Sequence, residues 1–445
     1  MKKEPSVVPV AQLSENFTVE RWTKEPPRLV NKVRIDSRNC EPGDLFVALQ
    51  GENTHGHEFV QAAREAGAVA AIVESQQPVD IPQLLVDDSE QALGRLAKFY
   101  RRTLDDYVIG ITGSCGKTTV KEMLATVLAE KFETRKSPGN YNNQLGLPLT
   151  LLNYGGAEVL VSEVAMNQPG EIKRLTEILA PDMGLITHIG RAHLAGVETV
   201  ESVAREKAEL LAGLPSTGLG IVPGWVRHKD ILLSAANAPV RVPSRGAGGD
   251  VEVDWSIGPG TGKIRVGDSK FEVDFTRDEI LKDAILVILA AFELGLEETA
   301  IREGLARFEP LAGRGKEFKI GETTVIDGSY NANPDSMLSA IERLEELSPP
   351  RLAILGTMKE LGTSAAEAHC EIGEKLSEVE ELEVKFVGEY GKQLAKGMGG
   401  DPNLSLHESV EELNGLIPTS YRSVLVKASN AVGLRKLIER WRDKQ

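Results

Sequence analysis

A glycine-rich turn between a predicted strand and a predicted helix is the feature that most constrains the fold of this chain. Residues 107–112 (YVIGIT) form an apolar run typical of a buried β-strand, and residues 117–130 favour a helix. The turn between them reads Gly-Ser-Cys-Gly, and Lys-Thr-Thr opens the helix. This order brings backbone N–H groups and the positive end of a helix dipole to one point, where they bind phosphate. The segment therefore predicts a phosphate-binding loop in an α/β domain.

The side chains of this loop fit the chemistry of a nucleotide. Glycines let phosphate oxygens approach the backbone, Lys117 supplies a cation for the β- and γ-phosphates, and Thr118 supplies a hydroxyl for Mg²⁺. GTP-binding switches and simple kinases also carry phosphate loops, but the chain has no Asn-Lys-x-Asp sequence, which disfavours the GTP-binding switch. Cys115 is interpreted as a tolerated small residue, because no histidine partner for it is identifiable. We predict that the nucleotide contacts Gly113, Ser114, Cys115, Gly116, Lys117, Thr118 and Thr119.

Length and the order of predicted elements indicate three α/β domains. At about 150 residues per domain, 445 residues correspond to roughly three domains. Two short stretches have the composition of linkers: one ends at Asp106 and the other spans residues 309–313. Predicted strands alternate with predicted helices in the middle and last sections, which is typical of a parallel sheet with crossover helices. The predicted domains are residues 1–106, 107–311 and 312–445.

Composition excludes several classes of protein. The formal charge of −15 disfavours partners with a phosphodiester backbone or an anionic membrane surface. Three scattered cysteines, with no CxxC sequence, disfavour a disulfide framework or a zinc site and fit a reducing compartment. We find no secretory leader and no apolar run near the ~20 residues that span a bilayer. We therefore expect a soluble cytoplasmic protein that does not bind nucleic acid and has no membrane span.

Further motifs follow the phosphate loop in a fixed order. The loop, TGSCGKTT (112–119), is shorter than the standard GxxxxGK[ST]. It is followed by NYNN (140–143), EVAMNQPGEI (163–172), IGRAHL (189–194), AREKAE (204–209), GRG (313–315) and DGSYNANP (327–334). Together these motifs resemble the Mur ligase superfamily of ATP-dependent amide-forming enzymes, and the resemblance covers nearly the whole chain from about Asp36.

This resemblance implies an architecture, a chemistry and a set of site residues. The implied domains are an N-terminal module for a UDP-linked substrate, a central P-loop module for ATP and Mg²⁺, and a C-terminal Rossmann-like module that binds the added substrate and nucleotide. Implied catalytic residues are Lys117, Asn142, Glu163, His193 and Lys207. Implied metal ligands are Thr118, Glu163, His193 and Lys207, the last after carbamylation by CO₂. Asp283 and Arg314 are expected to contact nucleotide, and Ser37, Arg38, Asn143, Tyr330, Asn331 and Asn333 to contact substrate.

Other segments indicate the branch of the superfamily. DSR (36–38), PGDLFVAL (42–49) and GHEF (56–59) are similar both to members that add diaminopimelate or lysine and to members that add D-alanyl-D-alanine to UDP-N-acetylmuramoyl-tripeptide. SYNANP (329–334) and LGTMKELG (355–362) are similar to the second branch specifically. The DNPR motif of members that add diaminopimelate or lysine is absent. The implied partners are therefore these two small molecules, and we expect a monomer.

Several positions depart from the pattern of that branch. Gly328 and Thr357 stand where acidic residues are usual, Asp283 lies in a segment expected to be rich in asparagine, and Asn430 stands where arginine is common. These departures leave two alternatives open. One is a ligase of the same type that uses another acceptor. The other is a homologue that binds nucleotide but has lost ligation.

Overall fold

The computed structural model describes residues 8–10, 21–51, 54–192 and 194–442. The first region contains a five-stranded sheet in the order β2-β7-β6-β5-β4, in which only the β2–β7 pair is antiparallel. A separate antiparallel pair joins β1 to β3. The elements are β1 (Val8–Pro9), β2 (Arg21–Trp22), β3 (Leu29–Val30), β4 (Val33–Arg34), β5 (Leu45–Val47), β6 (Ala70–Val73), β7 (Gln83–Leu85), α1 (Val60–Glu65) and α2 (Ser89–Arg101).

The middle region is built on a six-stranded, fully parallel sheet in the order β13-β12-β11-β8-β10-β9. Its strands are β8 (Tyr107–Thr112), β9 (Thr134–Lys136), β10 (Val159–Glu163), β11 (Met183–Ile186), β12 (Leu219–Ile221) and β13 (Val240–Arg241). Its helices are α3 (Lys117–Leu128), α4 (Gly146–Tyr154), α5 (Glu171–Leu179), α6 (Leu194–Val197), α7 (Val200–Ala212) and α8 (Lys229–Ala235).

A smaller four-stranded sheet follows the central sheet along the chain. It comprises β14 (Pro243–Ser244), β15 (Val251–Gly258), β16 (Thr261–Val266) and β17 (Ser269–Val273). Two helices, α9 (Asp278–Glu293) and α10 (Glu298–Arg307), then return the chain to the central sheet. Apolar residues of α9, such as Ile285 and Ile288, are buried with Val120 and Leu124 of α3 in one core. The helix of the phosphate loop is therefore held against the sheet by α9.

The last region has a six-stranded sheet in the order β18-β19-β23-β20-β21-β22, antiparallel only between β18 and β19. Its strands are β18 (Lys316–Ile320), β19 (Thr323–Gly328), β20 (Arg351–Gly356), β21 (Leu382–Val387), β22 (Leu404–His407) and β23 (Ser423–Lys427). Its helices are α11 (Pro334–Glu345), α12 (Ala365–Ser377), α13 (Gly391–Gly397) and α14 (Arg435–Arg442). The predicted mixed α/β architecture with parallel sheets is confirmed.

The first and middle regions share a hydrophobic core. Leu93 and Leu96 of α2 are fully buried in the same cluster as Leu151 of α4 and Leu175 of α5. At the end of α2, Arg101 donates to the carbonyls of Leu179, Ala180 and Leu104 and lies 3.2 Å from Asp182. Among the residues that the structure describes, no helix combines the length and the apolar character needed to cross a membrane.

Candidate active site

The phosphate loop begins at the carboxyl end of β8, in the middle of the central sheet. Gly116 lies immediately before α3 with φ of +83°, a left-handed conformation that favours glycine. A Cβ atom at Gly116 would also lie 2.7 Å from the carboxylate oxygen Oδ1 of Asp283. The loop therefore requires glycine at this position, and it presents the N-terminus of a twelve-residue helix to a ligand.

Lys117 is folded back onto the loop. Its Nζ donates to the Gly113 carbonyl oxygen at 2.6 Å. Burial lowers the pKa of Lys117, while the charge of Glu163 opposes that shift and the charge of Arg314 adds to it. A bound phosphate is a stronger acceptor than a carbonyl, because hydrogen bonds to ionised groups are roughly twice as strong. Lys117 is thus placed to exchange its carbonyl partner for a phosphate oxygen.

The remaining loop residues are fixed by a neighbouring segment that follows β11. Ser114 Oγ donates to the Gly190 carbonyl at 3.1 Å and accepts the Gly190 N–H at 2.9 Å, while Thr187 donates to the Cys115 carbonyl. Burial raises the pKa of the Cys115 thiol to about 12, so the thiol stays protonated at neutral pH and is a poor nucleophile. Thr118, on the first turn of α3, is also buried.

Glu163 ends β10 beside the loop and is only 1% exposed. Asn142 Nδ2 donates to Glu163 Oε2 at 3.1 Å. The other oxygen, Oε1, lies 3.2 Å from Nζ of Lys121, in an ion pair that lacks the alignment of a hydrogen bond. The structure therefore brings two predicted catalytic residues, Asn142 and Glu163, into direct contact and adds a lysine that the sequence motifs did not single out.

Lys207 is fully buried on α7, close enough to Lys117 for the two charges to interact. Its Nζ forms no hydrogen bond with any described residue. Burial, reinforced by the charge of Lys117, lowers the pKa of Lys207 well below its ordinary value, which favours a neutral amine. His193, the other predicted metal ligand of this region, lies outside the described residues.

These residues fit a bound Mg²⁺ only in combination with other ligands. Among the described residues, no group of three acidic, histidine or cysteine side chains is arranged to hold a metal ion. Mg²⁺ is usually bound by one or two carboxylates together with substrate phosphates and water. Glu163 and the Thr118 hydroxyl supply oxygen ligands that suit that mode of binding.

The C-terminal region closes over the phosphate loop. Asn333 Nδ2 lies 3.4 Å from the Ser114 carbonyl oxygen, and Asn333 Oδ1 caps α11 by accepting the Ser336 N–H. A cavity of about 50 Å³ between the two regions is lined by Ser114, Lys117, Ala192, Asn331, Ala332, Asn333, Lys359, Glu360 and Leu361. The cavity brings predicted nucleotide contacts and predicted substrate contacts to one place. A larger cavity of about 470 Å³ lies at the opposite end of α3, near Glu130.

Arg314 is positioned by the end of β19. Its guanidinium lies 4.0 Å from the centre of the Tyr330 ring, a cation–π contact. Asp327 accepts the Gly313 N–H through Oδ2 at 2.9 Å and the Gly315 N–H through its carbonyl at 2.6 Å. The strand end thus holds the loop that carries Arg314, and Arg314 is close enough to Lys117 to lower its pKa.

The other predicted substrate contacts make mainly local contacts. Asn143 Oδ1 accepts the Gly146 N–H at the start of α4, and Asn331 Oδ1 accepts the Ala332 N–H. Ser37 is buried in a short 3₁₀ turn, where Arg38 donates to both carboxylate oxygens of Asp36. Nothing in these contacts joins the turn of Ser37 to the phosphate loop.

Asp283, predicted to contact nucleotide, faces the phosphate loop from α9. Burial raises the pKa of its carboxyl well above the ordinary value; Glu279 adds to the shift and Arg277 opposes it. Gly328 pairs with Lys427 across β19 and β23, and a Cβ atom at Gly328 would lie 3.3 Å from that lysine side chain. Thr357 Oγ1 donates to the Glu389 carbonyl at 2.9 Å.

Three charged residues near the cleft were not identified from the sequence. Lys121 lies one helical turn after Lys117, among apolar positions of α3, and that placement is the signal of a buried charge. Lys427 ends an apolar strand and donates from Nζ to the Asn331 carbonyl at 2.9 Å. Arg191 joins α11 through Asp335 and α12 through Glu371. Nothing in the sequence pattern distinguishes Arg191 from a surface arginine.

A phosphate loop that faces the C-terminal region, with a buried carboxylate and a buried lysine beside it, is typical of nucleotide-dependent group-transfer enzymes. Family models cover most of the chain: the Mur ligase family catalytic domain matches residues 29–101, the Mur ligase middle domain 111–265, and the Mur ligase glutamate ligase domain 307–432. The chain belongs to the Mur ligase family.

Relatives and solved structures agree with this assignment. The chain is 30% identical to UDP-N-acetylmuramoyl-tripeptide–D-alanyl-D-alanine ligase of Escherichia coli (strain K12), over 92% of this chain and 93% of that protein. A crystal structure of MurF from Acinetobacter baumannii superposes with a TM-score of 0.89 at 29% identity and covers 99% of both chains. The MurF ligase of Thermotoga maritima in complex with ADP gives a TM-score of 0.80 at 28% identity, over 93% of this chain and 97% of that chain.

Proposed function

We propose that this chain is an ATP-dependent ligase that joins D-alanyl-D-alanine to UDP-N-acetylmuramoyl-tripeptide in the synthesis of peptidoglycan precursors. The observation that carries the proposal is the cleft between the phosphate loop and the C-terminal region. There Ser114 and Lys117 face Asn331 and Asn333 across about 50 Å³. Family membership, and relatives of this activity that align over nearly the whole chain, support the choice of substrates.

The reaction requires activation of a carboxylate. A carboxylate oxygen of the tripeptide attacks the γ-phosphorus of ATP, the bond from that phosphorus to the β–γ bridging oxygen breaks, and ADP leaves. The amine of D-alanyl-D-alanine then attacks the carbonyl carbon of the acyl phosphate. The tetrahedral intermediate loses inorganic phosphate and the amine loses a proton, which leaves the amide. Negative charge develops on oxygen throughout, so positioned cations and hydrogen-bond donors supply the catalysis.

The residues of the loop side stabilise that charge. Lys117 leaves the Gly113 carbonyl and binds the transferring phosphoryl oxygens. Backbone N–H groups at the start of α3, beginning near Thr118, hold the β-phosphate. Arg314 approaches the same phosphates from the C-terminal region. Asn142 keeps the Glu163 carboxylate oriented through its 3.1 Å hydrogen bond.

We assign Thr118, Glu163, His193 and Lys207 to Mg²⁺. When bound, Mg²⁺ neutralises charge on phosphate and carboxylate oxygens. Lys207 suits the assignment because a neutral amine adds to CO₂ and, after losing a proton, becomes a carbamate anion. The observation in favour of this modification is that Lys207 Nζ is buried and has no hydrogen-bond partner among the described residues.

The substrate assignments follow the three regions. We assign residues 1–106 to the UDP-linked substrate through Ser37 and Arg38, residues 107–311 to ATP through the loop and Asp283, and residues 312–445 to the added dipeptide. Asn143, Tyr330, Asn331 and Asn333 are assigned to the reacting ends of the two substrates. We propose that the chain acts as a monomer in the cytoplasm, the compartment that supplies ATP.

A panel of acceptor amines tests the proposal. Purified chain with ATP, Mg²⁺ and UDP-N-acetylmuramoyl-tripeptide is given D-alanyl-D-alanine, lysine or diaminopimelate, and phosphate release is measured. We expect release that depends on D-alanyl-D-alanine and on the tripeptide. Release with another amine alone would assign a different acceptor. ATP binding in calorimetry with no release for any amine would show a nucleotide-binding homologue without ligation.

A further inference from the structure

Lys121 is a buried charge that no step of the reaction above uses. It lies four residues after Lys117, one turn further along the same face of α3. Its side chain is 0% exposed, although lysine is almost never fully buried unless it is paired. Burying a lysine ammonium without polar partners lowers the free energy of unfolding. The partners of Lys121 therefore indicate its role.

The Lys121 ammonium has four oxygen neighbours. Its Nζ donates to the carbonyl oxygens of Ser137 and Gly139, each at 2.9 Å. It also lies 3.1 Å from Oε1 of Glu122 and 3.2 Å from Oε1 of Glu163. An ammonium has three N–H groups, and two of them go to the carbonyls. The carboxylates are held by charge, and the contact with Glu163 Oε1 is an ion pair without an aligned hydrogen bond.

Both carbonyls belong to the segment that leads to Asn142. The Ser137 N–H donates to the Val161 carbonyl of β10, and Ser137 Oγ accepts the Glu163 N–H at 3.3 Å. At the far end of the segment, the Asn142 carbonyl accepts the Ala165 N–H. Lys121 therefore contacts the Glu163 carboxylate directly and also holds the backbone that delivers the second partner of that carboxylate.

Charge in this part of the site is balanced through Lys121. Lys136 pairs with Glu122, Glu122 pairs with Lys121, and Lys121 pairs with Glu163, so positive and negative groups alternate. Removal of Lys121 would leave Glu163, whose side chain is 2% exposed, without the lysine that pairs with its Oε1. Truncating one member of a buried ion pair is strongly destabilising, because the other charge stays buried without compensation.

We infer that Lys121 is a positioning residue, which fixes both oxygens of Glu163 by pairing with Oε1 and by tethering residues 137–142 so that Asn142 reaches Oε2. The inference rests on the proposed function insofar as Glu163 and Asn142 are assigned to its site. Outer partners of metal-binding groups typically change affinity or activity by about 10- to 100-fold when they are removed. A loss of that size is the effect expected here.

The test compares Lys121→Met with Lys136→Met in the full chain. Lys136 is the matched control, because it touches the same Glu122 but is 42% exposed and does not contact Glu163. Lys121→Met is expected to lower kcat about 10- to 100-fold and to raise the Mg²⁺ concentration needed for half-maximal turnover. The KM for D-alanyl-D-alanine should stay near the wild-type value. Lys136→Met should resemble the wild type in all three.

Hydrogen exchange provides a readout that needs no substrate. Amides of residues 137 and 139–142 should exchange faster in Lys121→Met than in the wild type, while those of the C-terminal region stay unchanged; residue 138 is proline and has no amide hydrogen. Unchanged exchange in that segment, or wild-type kcat in a folded Lys121→Met protein, would overturn the inference. If the wild type itself adds no dipeptide, the proposed function is wrong. The exchange comparison still tests whether Lys121 holds residues 137–142 in place.

A second variant tests the inference if Lys121→Met does not fold. Lys121→Met combined with Glu122→Gln removes one charge of each sign, so the net charge of this group is unchanged, and the charge of Lys117 remains close to Glu163. This double variant should fold but keep the low kcat and the fast exchange at residues 137–142, because the tether and the ion pair with Glu163 remain absent. Wild-type kcat in the double variant would show that Lys121 serves stability alone.

Discussion

Arg191 joins the central region to the C-terminal region, and its replacement should loosen that junction. The Arg191 Nε lies 3.1 Å from Asp335 Oδ1, and Nη2 lies 3.1 Å from Glu371 Oε1, while its backbone N–H donates to Asp335 Oδ2 at 2.8 Å. Burial alone would raise the pKa of Asp335, but hydrogen bonds from His188 and Arg191 and the Arg191 charge hold that pKa well below its usual range. Asp335 is therefore ionised at any pH at which the protein would be assayed.

The size of the effect follows from the exposure of the partners. A hydrogen bond to a charged group contributes about 1.5–3 kcal/mol, whereas exposed pairs contribute about 0–1 kcal/mol. The side chain of Asp335 is 17% exposed and that of Glu371 is 37% exposed. The contact of Arg191 with Asp335 should therefore contribute more free energy than its contact with Glu371. Because Arg191→Met keeps the backbone hydrogen bond, we expect a loss of about 2 kcal/mol. That loss corresponds to roughly a 30-fold change in the equilibrium between attached and detached regions.

Hydrogen exchange and small-angle X-ray scattering measure this equilibrium. In Arg191→Met, amides at the start of α11 should exchange faster and the mean radius of gyration should increase. Arg343→Met is the matched control, since Arg343 is similarly buried but pairs with Glu317 and Glu346 inside the C-terminal region. If Arg191→Met matches the wild type in both measurements, these ion pairs do not hold the regions together.

Three further predictions concern the loop and the core. Lys117→Ala should abolish phosphate release while circular dichroism and the melting temperature stay near wild type; persistent turnover would contradict the phosphate-loop assignment. Burial raises the pKa of Asp283 in the folded protein. Ionisation of Asp283 therefore opposes folding as the pH rises above the unfolded pKa of about 3.9. In denaturant melts above that pH, Asp283→Asn should be more stable than the wild type, and equal stability at pH 7 would contradict this. Arg101→Met should lower the free energy of unfolding by about 3 kcal/mol, since it leaves buried carbonyls such as that of Leu179 without a donor; a change under about 1 kcal/mol would contradict it.

Local signals predicted the central sheet well. The structure places β8 at the predicted residues 107–112, and α3 begins at the predicted Lys117, because apolar periodicity and turn chemistry act within a few neighbouring residues. The edge strand β9 (Thr134–Lys136) was not predicted, since its residues are polar and only partly buried. It is a strand because it pairs with Val159 to Val161 of β10, a contact that no local pattern reveals.

The site residues also divide into those that local sequence predicts and those that depend on distant contacts. The loop, Glu163 and Asn142 could be identified because each belongs to a motif with characteristic spacing. Lys121 could not, since its role depends on carbonyls 16 and 18 residues further along the chain. Arg191 could not either, because its partner Asp335 lies 144 residues away in another region. The apolar neighbours of Lys121 on α3 indicate that it is buried, but the partners of a charge depend on the fold and are not indicated by the neighbouring sequence.

The path of one oxygen atom tests the central claim most directly. The tripeptide is labelled with ¹⁸O in its reacting carboxylate and incubated with the chain, ATP, Mg²⁺ and D-alanyl-D-alanine, and the products are analysed by mass spectrometry. An acyl-phosphate route predicts the dipeptide-extended product and one ¹⁸O atom in each phosphate released, because the attacking carboxylate oxygen leaves with phosphorus. Extended product with unlabelled phosphate would contradict the proposed chemistry, and the absence of extended product would contradict the proposed function.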